Sequence, residues 1–171
     1  MEYEQLIRER HSVRKYDAAP VEEEKLQKIL EAGRIAPTGH NNQPQRVYVI
    51  RSGEGLKKIR ELCACAFNAP IVLMVSVNKD EQWKNDLEPG QASGIQDAAI
   101  AATHMMLEAW NLGIGSCWVN WIPYSKVHEA FALPEEEELV LIMPIGYPAE
   151  NSHPSKLHGT YRPLEELVRY R

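Results

Sequence analysis

The chain has 171 residues, 44% of them apolar and 25% charged, and a formal net charge of −5. That length is enough for one domain, residues 1–171, with a real core, and the acidic balance excludes a general nucleic-acid binder, whose surface should be basic. Three cysteines form no paired framework and fit a reducing, cytoplasmic compartment.

Met1-Glu2-Tyr3-Glu4-Gln5 carries no apolar segment, so no signal peptide is expected. Residues 3–10 read as a short helix. Pro20 opens a second, with Glu22, Glu23 and Glu24 where the helix dipole favours anions. Leu26, Ile29, Leu30 and Gly33 form its buried stripe, and Pro37 stops it. Residues 46–51 alternate as a strand, and residues 55–67 read as a helix. Ile71 to Val77 is a continuous apolar run, as in a strand buried on both faces. Residues 78–93 are polar, hold Pro89 and Gly90, and form the best candidate for a mobile loop. Residues 94–112 predict a helix that is apolar around most of its circumference, fit for a core or a large subunit interface. Its Asp97, His104 and Glu108 exclude a lipid-facing span. Gly113 caps it. A strand at 114–120, a short helix at 124–131 and a buried strand at 139–145 follow. The tail from Gly146 onward closes on the amphipathic run Leu164 to Val168. Helices and strands are therefore mixed around a central sheet.

Three motifs carry chemistry. Arg10-His11-Ser12-Val13-Arg14 packs cations and a hydroxyl into five residues. If the first helix ends near His11, Arg10 and Arg14 can converge on one anion, since the guanidinium fork binds phosphate in two-pronged fashion. The competing reading is a solvated basic turn paired with Glu2, Glu4 or Asp17. Residues 36–44, Ala-Pro-Thr-Gly-His-Asn-Asn-Gln-Pro, form a loop of small and amide residues able to lie against a flat heterocycle, or an ordinary helix-to-strand turn. Gly113-Ile-Gly-Ser-Cys-Trp-Val-Asn120 allows close backbone approach and ends on aromatic Trp118. It lacks the third glycine and the following helix of a dinucleotide fingerprint.

These blocks, with Ile145-Gly146-Tyr147-Pro148 and Arg162-Pro163-Leu164-Glu165, resemble in order and spacing a compact member of the FMN-dependent nitroreductase family. The resemblance implies an α+β fold, a central mixed sheet flanked by helices, and an intertwined homodimer with FMN at the interface. It implies that Arg10, Ser12 and Arg14, in the block with His11, hold the phosphate and flavin edge. Pro37, Thr38, Asn41 and Gln43 then reach the partner's flavin. Trp118, Val119 and Asn120 run along the ring with a backbone N–H near its reactive nitrogen. Arg162 is a second phosphate ligand, with Lys156 as its rival. Departures are Gln45 where an aromatic often stands, Asn120 where glycine is common, and His11 in place of a frequent arginine. The implied activity is NAD(P)H-driven, ping-pong reduction of nitroaromatics, quinones or similar acceptors, with the chemistry on FMN and no catalytic side chain. The alternatives are a reductase of another activated bond, such as an enone or halogenated aromatic, and a flavin-storing protein without turnover.

Trp83, a large aromatic in a polar loop, is a candidate either to cover the flavin and stack on substrate or to pack against the partner subunit. Cys63 and Cys65, placed on a helix two apart, point to opposite sides and cannot share a metal. Glu135 to Glu138 reads as a charged turn, and His153 and His158 as solvated tail residues. No metal site is expected.

Overall fold

A computed structural model describes all 171 residues. The chain forms α1 (Tyr3–Glu9), α2 (Glu23–Arg34), β1 (Gln45–Ile50), α3 (Gly53–Leu62), β2 (Ile71–Asn78), α4 (Gly94–Asn111), β3 (Gly115–Ser116), α5 (Tyr124–Ala130), β4 (Glu137–Gly146) and α6 (Leu164–Leu167). The architecture is α+β. Its four strands lie in the order β1-β2-β4-β3, every pair antiparallel. The one parallel pairing is an isolated bridge, Ser12 to Ser116, at the β3 edge.

The continuous apolar run of β2 is explained by cover on both sheet faces. Ile71, Leu73, Val75 and Val77 join Leu26 and Ile29 of α2 and Ala98, Ala102 and Met105 of α4 on one face. Val72 and Met74 join Leu56 and Ile59 of α3 and Val127 of α5 on the other. Gly33 makes the α2–α4 contact possible: a Cβ there would meet Met105 Cγ at 2.7 Å. No helix is long and apolar enough to cross a membrane.

Three elements differ from the sequence expectation. The helix expected at 55–67 stops at Leu62. Cys63 is extended (φ −145°, ψ 108°), and a 3-10 turn, Ala64–Ala66, leads to left-handed Phe67. Cys63 and Cys65 therefore do not share a helix, and both line one cavity beside Trp121. The strand expected at 114–120 is regular only at Gly115–Ser116, then touches β4 again at the Val119–Ile142 bridge. Residues 78–93 hold a small hairpin-like turn closed by the Lys84–Ala92 bridge and the Asn85 N–H donating to Gln91 O at 2.9 Å.

Candidate functional site

The first motif leaves α1 as its sequence suggests. Arg10 turns out of the helix (φ −56°, ψ 125°), and the Val13 N–H donates to Ser116 O at 2.9 Å. This pins the segment along β3. Gly115 allows it, since a Cβ there would sit 2.6 Å from Val13 Cγ2. The Tyr16 hydroxyl lies 2.8 Å from Val13 O and 2.9 Å from Pro144 O. Burial drives that phenol far above its usual range. The fourth block is drawn in as well: Asp17 N–H donates to Tyr147 O and Ala149 N–H to Lys15 O.

Arg10 and Arg14 pair with no carboxylate. Glu4 is occupied by Arg8, and Asp17 accepts from the Ala19 N–H. Arg14 donates only to Ser12 O, at 3.3 Å. Ser12, Arg14 and Lys15 share a cleft of about 190 Å³ with Asn151, Ser152, His153 and Ser155, with no acid and no apolar residue in its lining. Beside it the Ser116 hydroxyl, 1% exposed, has no hydrogen-bond partner. Cations, hydroxyls and an orphaned hydroxyl fit a phosphate-bearing ligand. His11 takes another place: its ring packs edge-on against Trp110, centroids 4.7 Å apart, and Nδ1 lies 3.1 Å from Glu9 O. Arg162 is exposed, pairs with Glu166 at 3.7 Å and does not line the cleft, nor does Lys156. His153 does line it, which nothing in its solvated-tail sequence signalled.

The edge after β3 alternates. Cys117 N–H donates to Pro144 O and Val119 N–H to Ile142 O, so both point into the sheet. The backbone N–H groups of Trp118 and Asn120 have no acceptor in the chain and face outward. Val119 is buried; Trp118 is half-buried and Asn120 exposed. The Trp118 indole donates to Asn120 Oδ1, and Asn120 Nδ2 donates to Val140 O at 3.0 Å. Burial pushes the Cys117 thiol up, against the opposing pull of Arg14 and Ser12.

The second motif sits elsewhere. His40, Asn41 and Gln43 all have positive φ (51°, 58° and 51°), a conformation non-glycine residues adopt only when their surroundings impose it. Three anchors impose it. Gly39 N–H donates to Asp97 Oδ1 at 2.9 Å, Gln43 N–H to Thr38 Oγ1 at 3.0 Å, and Asn42 Nδ2 to Glu81 O at 3.0 Å. Asp97 is 2% exposed and also accepts from Ser93 Oγ at 2.6 Å. Trp83 stacks on His40, centroids 6.0 Å apart, so it belongs to this group. Pro37 and Asn41 are exposed, and the Asn41 side-chain amide makes no hydrogen bond within the chain, its backbone N–H donating to Thr38 O at 3.0 Å. None of residues 37–44 lines the cleft at Arg14 or the larger cavity at Asn120.

The two groups thus occupy opposite ends of α4. His11 rests on Trp110 in its last turn; Gly39 hangs on Asp97 in its first. At about 1.5 Å per residue those anchors are roughly 20 Å apart along the axis.

The nitroreductase family model matches residues 7–68 and 65–147. The chain belongs to the nitroreductase family. A protein of Methanothermobacter thermautotrophicus, provisionally named NADH dehydrogenase/NAD(P)H nitroreductase, is 32% identical over 88% of this chain and 80% of its own length. A nitroreductase family protein of Clostridium difficile is 36% identical with a TM-score of 0.92, covering 99% of this chain and 98% of that one. A Desulfovibrio desulfuricans relative solved in complex with FMN is 30% identical with a TM-score of 0.80, covering 98% and 95%.

Proposed function

We propose that this nitroreductase-family chain is an FMN-dependent oxidoreductase that draws on NADH or NADPH to reduce a small oxidised acceptor such as a nitroaromatic or quinone. The observation that carries the reading is the unpaired Arg10 and Arg14 beside Ser12, abutting an edge with two outward backbone N–H groups. FMN, when bound, supplies the redox chemistry. Ser12 and Arg14 hold its phosphate, joined by Lys15 and His153 from the same cleft. Trp118 and Asn120 present their N–H groups to the ring edge. No side chain acts as nucleophile or base.

Thr38, Asn41, Gln43 and Trp83 complete the site from a second copy of the chain. Their place at the far end of α4 from the His11–Trp110 contact supports this, because they line no cleft with Arg14. The exposed apolar side chains of Ile100 on α4, and of Leu157, Tyr161, Leu164 and Leu167 in the tail, supply surface for that second copy to cover.

The test is an anaerobic visible spectrum of the purified protein, before and after NADH or NADPH. A flavin band that bleaches, then returns with acceptor, is expected. Parallel initial-rate lines are expected for a site used in turn by reductant and acceptor; intersecting lines overturn the shared site. A protein that stays colourless with added FMN overturns the whole reading, and bleaching without acceptor-driven recovery leaves a storage protein.

A further inference from the structure

The carboxylate of Glu137 has no part in holding FMN, yet it is the best-buried acid on its side of the sheet. Only 7% of the residue is exposed. Tyr48 OH donates to Oε2 at 2.9 Å and Ser76 Oγ donates to the same oxygen at 2.5 Å. Oε1 accepts from no group of the chain. No lysine, arginine or histidine forms an ion pair with it. His128 approaches only the backbone, its Nε2 lying 3.0 Å from the carbonyl oxygens of Pro134 and Glu137. Oε1 is left to water, and a ligand that fills the space beside it and displaces that water must bring a donor or cation of its own or leave a carboxylate oxygen unpaired.

Glu137 stands in the wall of a cavity of about 640 Å³. Ile95, Leu139 and Val140 give that cavity apolar surface, and Tyr124 adds an aromatic ring. Glu135 and Glu138 bring two further carboxylates against the single ammonium of Lys79. Asn120, at the outward N–H edge, lines the same space.

We propose that this cavity binds an organic cation, an ammonium or amidinium on an aromatic or apolar body, with Glu137 Oε1 as its partner. The proposal rests on the oxidoreductase reading in one respect: with Asn120 beside the flavin, the cation is the far end of the electron acceptor. The site then selects among acceptors by charge. A neutral acceptor leaves Oε1 unpaired, and an anionic one meets three carboxylates. A cationic one gains a charge-assisted bond to a carboxylate that is itself largely buried, where it is stronger than at a fully exposed acid.

The experiment titrates benzamidine and its uncharged counterpart benzamide into the FMN-loaded protein by calorimetry at low salt. Benzamidine is expected to bind at least ten-fold more tightly, and Glu137→Gln to bring the two within about two-fold. Equal binding by the unsubstituted protein, or a ten-fold preference that survives Glu137→Gln, overturns the proposal. A benzamidine-soaked crystal answers without any variant: an amidinium within hydrogen-bond distance of Glu137 supports the site, and density only elsewhere overturns it. A protein that bleaches with NADH but shows no benzamidine preference refutes this inference alone. One that takes up no flavin yet prefers benzamidine keeps the cation site and loses the acceptor reading.

Discussion

The two glycines of the third motif serve different ends. Gly113 has φ +77° with open space around it, whereas Gly115 has no such φ but lies against the Val13 side chain. Gly113→Ala should therefore cost roughly 1 kcal/mol in backbone strain. Gly115→Ala forces Val13 away from β3 and should cost about 1–3 kcal/mol by overpacking, with weaker flavin retention besides; denaturant melts and flavin fluorescence read both. The thiols also separate by burial. Desolvation raises Cys63 and Cys117 above the ordinary thiol range, and neutral thiols are slow nucleophiles. Titration of the native protein with Ellman's reagent near neutral pH should count one fast thiol, Cys65, and three only after unfolding. Tyr48 sets a pH dependence. Burial, then its hydrogen bond to Glu137, pushes the phenol up to about 12. The folded chain then keeps a proton that the unfolded chain has lost. Stability is complete below tyrosine's ordinary value of 10.0 and declines as pH climbs from there toward 12. Tyr48→Phe should make that decline shallower in urea melts taken across the window, leaving the share that comes from buried Tyr16.

At the scale of elements, the sequence was readable wherever one physical signal dominated. The apolar run of β2, the acidic first turn of α2 and the apolar girth of α4 all predict what forms. Residues 63–67 misled because Cys-Ala-Cys-Ala-Phe holds no helix breaker. What ends α3 there is tertiary: Arg60 reaches Ala69 O at 3.0 Å, and the chain must turn to enter β2. Residues 117–120 misled because alternation with β4 and some of its ladder bonds continue, while Pro144, lacking an N–H, cannot return the bond that it accepts from Cys117. Glu137 was hidden inside a run of four glutamates, and only the fold shows that its register carries it under Ser76 and Tyr48. Asp97 was visible as a polar stripe on α4, but not as the peg for Gly39. Asp97→Ala removes two acceptor contacts and leaves the Gly39 N–H and Ser93 hydroxyl unpaired, at about 2–3 kcal/mol. Hydrogen exchange should show faster amides at residues 39–43 while β2 stays protected.

At the scale of the whole molecule, the two halves of the proposed site were legible as motifs, but their separation was not, since spacing along a chain carries no distance. Light scattering on the flavin-loaded protein should give the mass of two chains; a monomer that retains flavin would sink the shared site. Arg14→Ala should weaken FMN at least ten-fold, the loss of one charge-assisted bond worth about 1.5–3 kcal/mol, as read by quenching of flavin fluorescence.

If α4 carries one half of the proposed site at each end, the defects of different copies become divisible. An Arg14→Ala chain and a Thr38→Ala, Asn41→Ala chain are each crippled at both sites of their own dimer. Unfolded together and refolded as a mixture, they form hybrids in which one site collects both lesions and the other collects none. Two poorly active proteins should then yield a mixture with up to one fully competent centre per hybrid, a rescue that no self-contained site could produce.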